Sequence, residues 1–228
     1  MVKPKVAITI GDPAGIGPEI VYRATNSLKV QRVCSPVVVG DKNVISKYFN
    51  IYKNSNNIEF VFSSDYNKNI KIGKPSKISS ILTKKDIVST TKLSADFIKQ
   101  ILKKNPKIMM CALNPHAGDN GILGNDEKET IIPAIKHLKK ENYNIVGLYP
   151  VDVAWQKFLQ NKYDLIVAMY HDQIMLPLKI LNPKKIVNVT VGLPFIRTSP
   201  GHGTAFDIAG KNIADFSSME EAIIYASK

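Results

Sequence analysis

The chain has 228 residues, of which 44% are hydrophobic, and a formal net charge of +12. This length and composition allow the core of one large domain or of two lobes. The charge does not predict a nucleic-acid partner, because only three of the 31 basic residues are arginine (Arg23, Arg32 and Arg197) and no recognition motif accompanies them. A small substrate carrying phosphate or carboxylate is the expected partner.

The cysteines and the lack of long apolar runs predict the compartment. No run approaches the roughly 18 apolar residues of a membrane-spanning helix, and residues 1–5 lack the pattern of a signal peptide. Cys34 and Cys111 lie within apolar stretches, which is typical of packed thiols in a reducing compartment. We therefore expect a soluble, cytoplasmic protein with no membrane partner.

Strand-like and helical segments alternate along the chain, which predicts βαβ units. Strands are predicted at residues 6–10, 36–40, 58–62, 108–112, 146–149, 165–169 and 186–191, the last two as buried parallel strands. Helices are predicted at residues 18–28, 42–49, 94–104, 125–140 and 153–161, followed by a last helix opened by a Ser217/Glu220 capping box. In the helix at 125–140, Asn125 is the candidate cap, and Pro133 either kinks the helix or marks its true start. Residues 87–91 are expected to be extended, and residues 63–80 to form a loop or lobe boundary.

A glycine-rich loop at residues 11–19 joins the first strand to the first helix. Glycines at such a junction let backbone N–H groups approach an anion at a helix N-terminus. The spacing matches neither the dinucleotide-binding pattern G-x-G-x-x-G nor a P-loop. An anion-binding loop and a simple tight turn therefore remain equal alternatives.

Three of the four histidines, His116, His171 and His202, follow predicted strands, where ligands bind in open α/β sheets. Two histidines at strand ends favour a divalent metal, although a catalytic site of the zinc type usually has three protein ligands. Arg197 lies in a Gly/Pro-rich loop of an arginine-poor chain, which makes it a candidate for bidentate anion binding.

Four motifs carry a family resemblance, and those in the C-terminal half are long and specific: GDPAGIGPE at residues 11–19, LNPHAG at 113–118, MYHDQ at 169–173 and GLPFIRTSPGHGT at 192–204. Together they resemble the 4-hydroxythreonine-4-phosphate dehydrogenases, the NAD-dependent family of pyridoxal phosphate biosynthesis. The first motif and the run HGTAFDIAG at 202–210 are also similar to isocitrate and isopropylmalate dehydrogenases, in which the second run contacts the adenosine side of NAD.

The resemblance implies an α/β fold of three layers and two lobes, like that of isocitrate and isopropylmalate dehydrogenases, with a reduced second lobe. The first lobe would comprise residues 1–86 and 188–228, and the second residues 87–187. A homodimer is also implied.

The resemblance further implies a role for each matching residue. One divalent metal (Zn, Mg, Mn or Co) would be bound by His116 and His171. Substrate and its phosphate would contact Lys179, Asn188 and Arg197, and Asp152 would lie near the reacting centre. The cofactor, NAD or NADP, would contact Gly15, Gly17, His202, Gly203, Thr204 and Asp207.

The chain departs from the family in its central part. The family's Thr-Gly-Pro-x-x-Lys and Gly-His-Thr-Glu elements, the second of which holds substrate, have no counterpart between Ser63 and Thr91. Lys92 occupies the position of the family's Thr-Thr-His, which the resemblance assigns to a third metal ligand, and a protonated ammonium has no lone pair for a metal. Part of the substrate pocket and of the dimer-forming lobe is therefore expected to be missing.

Three functional hypotheses follow. The first is NAD-dependent oxidation of 4-phosphohydroxy-L-threonine to the 2-amino-3-oxo acid, which decarboxylates to 3-amino-2-oxopropyl phosphate. The second is a related sugar-acid phosphate or dihydrodiol dehydrogenase. The third is a shortened, catalytically impaired relic or binding module of the same family.

Overall fold

A computed structural model describes residues 3–49, 59–62, 78–160 and 162–228, with the backbone alone at 49 and 59–62. The strands are β1 (Lys5–Thr9), β2 (Ser35–Gly40), β3 (Glu59–Phe62), β4 (Ile108–Cys111), β5 (Ile145–Tyr149), β6 (Leu165–Val167), β7 (Val187–Thr190) and β8 (Arg197–Pro200). The helices are α1 (Gly17–Thr25), α2 (Leu28–Val33), α3 (Lys42–Phe49), α4 (Ile78–Ile81), α5 (Lys84–Leu102), α6 (Ile132–Lys140), α7 (Val151–Phe158), α8 (Asp172–Leu181) and α9 (Ser217–Ala226). None of the described helices is long and apolar enough to cross a membrane.

The chain divides into two compact units, one of Met1–Asn69 with Leu181–Lys228 and the other of Ile70–Ile180. The predicted lobes were divided at residues 86/87 and 187/188. The second of these divisions falls inside β7, whereas the structure divides before that strand. The predicted loop at 63–80 lies outside the described residues except at its end, where α4 begins.

The first unit contains a parallel sheet in the order β1-β2-β3. Residues of β1, α1, α2, β2 and α9 form its core, among them Val21, Val30, Val38 and Ile223. The predicted first helix is two helices, because the Ser27 hydroxyl accepts the Val30 N–H at 3.2 Å and starts α2.

The prediction that residues 186–191 form a buried parallel strand is wrong. In the structure β7 pairs antiparallel with β8, a strand that its polar sequence, Arg-Thr-Ser-Pro, did not reveal. Only residues 191–196 connect the two strands. Parallel pairing needs a much longer crossover, so this short connection permits only the antiparallel arrangement.

The second unit contains a parallel sheet in the order β5-β4-β6. All four residues of its central strand β4 are fully buried. Ile108 and Met110 pack in the cluster that contains residues of α5 and α6, whereas Met109 and Cys111 pack in the cluster that contains Ala154 of α7. Helices therefore cover both faces of this sheet, as expected for parallel strands.

The prediction of an extended segment at residues 87–91 is wrong, because these residues belong to α5. The Thr83 hydroxyl accepts the Asp86 N–H at 3.1 Å and caps the helix. Ile87, Thr91 and Ala95 are its buried residues, and their spacing of four follows one helix face. Tertiary burial of this face overrides the β propensity of the branched residues in the segment.

Two predicted helix caps are also wrong. The segment from Asn125 enters a π-helical turn, Glu127–Ile131, with no side-chain cap, before α6 begins. Pro133 lies in the first turn of α6, so the alternative that Pro133 marks the helix start is confirmed. Ser217 is the first residue of α9 rather than its cap, and its N–H donates to the Asp215 carboxylate at 2.8 Å. Glu220 does not turn back to the helix start, because it forms an ion pair with Lys29 at 2.8 Å.

Candidate functional site

Three predicted site residues follow adjacent strands of the sheet in the second unit. His116 follows β4, Asp152 lies in the first turn of α7 after β5, and His171 lies between β6 and α8. Since β5, β4 and β6 are parallel neighbours, their carboxyl ends lie along one edge. The structure therefore brings these three residues to the same sheet edge, where ligands bind in open α/β sheets.

The His171 ring is exposed to solvent, and one of its two nitrogens contacts a neighbouring carboxylate. Its Nδ1 lies 2.8 Å from the Asp172 Oδ1. A carboxylate oxygen can only accept, so we assign the proton to Nδ1, which leaves the Nε2 lone pair free. A second-sphere carboxylate of this kind orients many histidines that bind metals.

The loop that carries His116 is supported by a buried carboxylate. The Asn114 side chain accepts the His116 N–H at 2.8 Å, and Glu127 in turn accepts the Asn114 N–H at 2.7 Å. The second oxygen of Glu127 is buried without a hydrogen-bond partner. Gly118 passes close to this oxygen with φ of +74°, and an added Cβ would approach it to 2.8 Å. Sequence reasoning missed Glu127.

Lys92 does not join the two histidines. Its ammonium pairs with Glu141, which follows α6 and precedes β5. That position is the amino edge of the sheet, opposite the edge of His116 and His171. The hydrogen bond from Lys92 lowers the pKa of Glu141. In the structure, Lys92 is therefore the ion-pair partner of a carboxylate at the amino edge.

The donor chemistry at the carboxyl edge fits a divalent cation, because imidazole nitrogens are common ligands of transition metals. His116 and His171 would supply two protein ligands. Within residues 3–49, 78–160 and 162–228, no group of three or more His, Cys, Asp or Glu side chains is placed to hold a metal ion. The described residues would thus provide two of the three protein ligands typical of a catalytic site.

A separate cleft of about 600 Å³ lies within the first unit. It runs along β1, the glycine-rich loop, β8 and α9. Its lining includes five predicted cofactor and substrate residues, Gly17, Arg197, His202, Gly203 and Thr204. Gly15 and Asp207 do not line it, and Asp207 is exposed in a 3-10 turn at Phe206–Ile208.

His202 offers the cleft a hydrogen-bond acceptor. Its Nδ1 lies 3.1 Å from the Gly203 carbonyl oxygen, which can only accept, so we assign the ring proton to Nδ1. Its Nε2 is buried and has no partner. A Cβ at Gly203 would meet nothing within 4 Å. An unpaired buried acceptor beside open space fits a ligand that donates through a hydroxyl or amino group.

Two glycines of the first motif have a packing role. The Ile16 N–H donates to the Thr204 carbonyl at 2.9 Å, which joins the loop to the 202–210 run. A Cβ at Gly15 would lie 2.7 Å from that carbonyl oxygen, and one at Gly17 would overlap the Ile10 carbonyl oxygen. Close packing alone therefore requires glycine at both positions.

The predicted substrate residues belong to different units. Asn188 and Arg197 share one face of the β7–β8 hairpin, because Arg197 lies opposite Thr190 and Asn188 opposite Ser199. The Arg197 Nη1 donates to the Thr190 hydroxyl at 2.8 Å, and its side chain is exposed. Lys179 is exposed in the last turn of α8, in the second unit.

The family model of the pyridoxal phosphate biosynthetic protein PdxA matches residues 74–226. This range contains every predicted metal-binding and substrate-binding residue. The chain belongs to the PdxA family. The resemblance drawn from the sequence motifs is thereby confirmed.

Curated relatives show how much of the family's length is present. The chain is 48% identical over 147 residues to the 4-hydroxythreonine-4-phosphate dehydrogenase of Sulfurihydrogenibium sp., which is 64% of this chain and 45% of that protein. The aligned segment therefore spans less than half of that relative. The protein of the same name from Trichlorobacter lovleyi is 26% identical over 327 positions, covering 99% of this chain and 97% of the relative. Because this chain has 228 residues, that relative contains residues with no counterpart here.

Solved structures have the same fold. A 4-hydroxythreonine-4-phosphate dehydrogenase from Klebsiella pneumoniae superimposes with a TM-score of 0.78 at 24% identity, covering 100% of this chain and 98% of that one. A terephthalate 1,2-cis-dihydrodiol dehydrogenase from Burkholderia xenovorans gives a TM-score of 0.56 at 19% identity. The predicted α/β class is confirmed.

Proposed function

We propose that the chain is a dehydrogenase of pyridoxal phosphate biosynthesis that uses NAD or NADP to oxidise 4-phosphohydroxy-L-threonine. The 2-amino-3-oxo acid formed would lose carbon dioxide and give 3-amino-2-oxopropyl phosphate. The family match over residues 74–226 carries the proposal, since it includes the residues gathered at the carboxyl edge of the second sheet. The names of the relatives support an oxidoreductase.

The carboxyl-edge residues would act on the alcohol. A divalent cation, when bound by His116 and His171, would stabilise the negative charge that develops on the alcohol oxygen. Asp152, in the first turn of α7, would take the hydroxyl proton while the hydride passes to the nicotinamide. The free Nε2 of His171 supports its role as a metal ligand, and the exposed carboxylate of Asp152 supports its role as the proton acceptor.

The remaining predicted residues would hold the anionic groups and the cofactor. Arg197 would bind the phosphate through its planar fork, assisted by Asn188 on the same hairpin face and by Lys179. His202 would accept a hydrogen bond from a hydroxyl or amino group of the cofactor. We also infer the three-layer, two-lobed arrangement of isocitrate and isopropylmalate dehydrogenases with a reduced second lobe, a homodimer and a cytoplasmic location.

A second candidate substrate has its own support. The chain is 54% identical over 121 residues to a protein of Oceanobacillus iheyensis provisionally named D-threonate 4-phosphate dehydrogenase, which is 53% of this chain and 36% of that protein. D-Threonate 4-phosphate carries a hydroxyl where phosphohydroxythreonine carries an amino group. The same phosphate-binding residues would serve both compounds.

The test is NADH or NADPH formation by the purified chain with each substrate and each of Zn, Mg, Mn and Co. His171→Ala should abolish turnover. His137→Ala is the matched control, because His137 contacts Glu141 at 3.2 Å at the opposite sheet edge, and this variant should retain activity. Turnover no higher than that of His171→Ala would refute catalysis, and tight NAD binding without turnover would favour the binding-module hypothesis.

A further inference from the structure

Gln173 is a buried side chain, 5% exposed, whose amide joins two separate loops. Its Oε1 accepts the Met169 N–H at 2.8 Å. Its Nε2 donates to the Ala112 carbonyl oxygen at 2.7 Å. Only this orientation of the amide satisfies both partners, since one is a donor and the other an acceptor.

The two partners lie just beyond the end of a pair of neighbouring strands. The β4–β6 ladder pairs Ile108 with Leu165, Met109 with Ile166 and Met110 with Val167, and ends there. Two residues further along each strand are Ala112 and Met169. The Gln173 amide thus links the two backbones just beyond the point where the β4–β6 ladder ends.

Both partners of the Gln173 amide lie close in sequence to the histidines at the carboxyl edge. Ala112 lies four residues before His116, and Met169 lies two residues before His171. The backbone of Gln173 is itself fixed, because its carbonyl accepts the Trp155 indole N–H at 2.8 Å, and Trp155 shares α7 with Asp152. One buried residue therefore contacts the chain just after β4 and just after β6, and also the helix that carries Asp152.

We propose that Gln173 is a positioning residue that sets the separation of the His116 and His171 loops and thereby the affinity of the two imidazoles for one divalent cation. The proposal rests on the metal-binding role given to these histidines under the proposed function. Side chains that orient ligands without touching the metal typically change metal affinity or activity by about 10- to 100-fold when removed.

The same two strands offer a matched control at their other ends. Asp164, just before β6, accepts the N–H of Lys107, just before β4, at 2.9 Å. Asp164→Leu removes a side-chain link between β4 and β6 at the amino edge, and Gln173→Leu removes one at the carboxyl edge. Both variants should lower stability, but only the second should disturb the histidines.

The experiment is a Co²⁺ titration of the full chain followed by visible absorption. Gln173→Leu should raise the Co²⁺ dissociation constant about 10-fold or more relative to wild type, and Asp164→Leu should leave it unchanged. An unchanged constant in Gln173→Leu, or an equal rise in Asp164→Leu, overturns the proposal, as does a wild-type chain that binds no Co²⁺. A wild-type chain that binds Co²⁺ but oxidises no substrate refutes the proposed catalysis and leaves this comparison intact.

Gln173→Glu tests the same link through the pH dependence of Co²⁺ binding, which a general loss of stability would not produce. This variant also replaces Gln173→Leu in the test if the leucine variant does not fold. Its ionised carboxylate can accept the Met169 N–H but presents a second acceptor to the Ala112 oxygen. Once protonated, the carboxyl group can donate to that oxygen. The ratio of variant to wild-type dissociation constants should therefore fall as the pH is lowered, and a ratio independent of pH would contradict the assigned geometry.

Discussion

Glu19, the last residue of the first motif, should hold the segment after the 202–210 run in place. Its carboxylate is buried and accepts the Asn212 N–H at 3.2 Å and the Ala214 N–H at 3.1 Å. Arg23 approaches the same carboxylate at 3.9 Å and donates to the Ala214 carbonyl. Glu19→Ala would leave two backbone donors unpaired. At about 1.5 kcal/mol for each hydrogen bond to a charged acceptor, we expect a loss of about 3 kcal/mol in unfolding free energy.

Urea denaturation followed by circular dichroism measures this loss, and amide exchange at Asn212 and Ala214 reports it locally. Glu19→Gln keeps one acceptor oxygen and should lose about half as much. Glu221→Ala, on α9 of the same unit, is the control for removing a carboxylate and should change stability by no more than about 0.5 kcal/mol. Equal losses in Glu19→Ala and Glu221→Ala would refute this role for Glu19.

Three further outcomes are expected. Burial raises the pKa of Cys111 to about 12, so iodoacetamide should alkylate this thiol far more slowly in the native than in the unfolded chain; equal rates would contradict its burial. Hydrogen bonds from Lys107 and Lys104 hold the pKa of Asp164 below its ordinary value of 3.8. The stabilising contribution of Asp164 is therefore full above that value and is lost as the pH falls through the lower, folded-state pKa. Acid titration of Asp164→Asn should lack this component of the stability profile. Lys92→His should not raise Co²⁺ affinity, and a clear gain would place residue 92 beside the metal.

Local sequence patterns predicted strands in which every residue is buried, such as β4. The run Ile108–Cys111 is apolar at every position because both faces of β4 are covered, so its strand could be read directly. The helix Lys42–Phe49 was predicted with the observed bounds. The β8 strand was missed, because its polar residues form a strand only through pairing with β7.

The supporting residues of the candidate site could not be derived from spacing. Gln173 contacts a backbone carbonyl 61 positions away in the sequence, and Glu127 contacts a backbone N–H 13 positions away. Such partners leave no pattern in a single sequence, although the place of Gln173 within the MYHDQ motif was a signal that it matters. The residues with ligand chemistry, His116 and His171, were accessible because strand ends gather at one edge of a parallel sheet.

Metal analysis of the purified chain tests most directly the claim that the strand ends form one site. The account predicts one equivalent of divalent metal in the wild-type chain and in His137→Ala, and none in either His116→Ala or His171→Ala. Metal retained at the wild-type level after removal of one of these two imidazoles, or no stoichiometric metal in the wild-type chain, would contradict it.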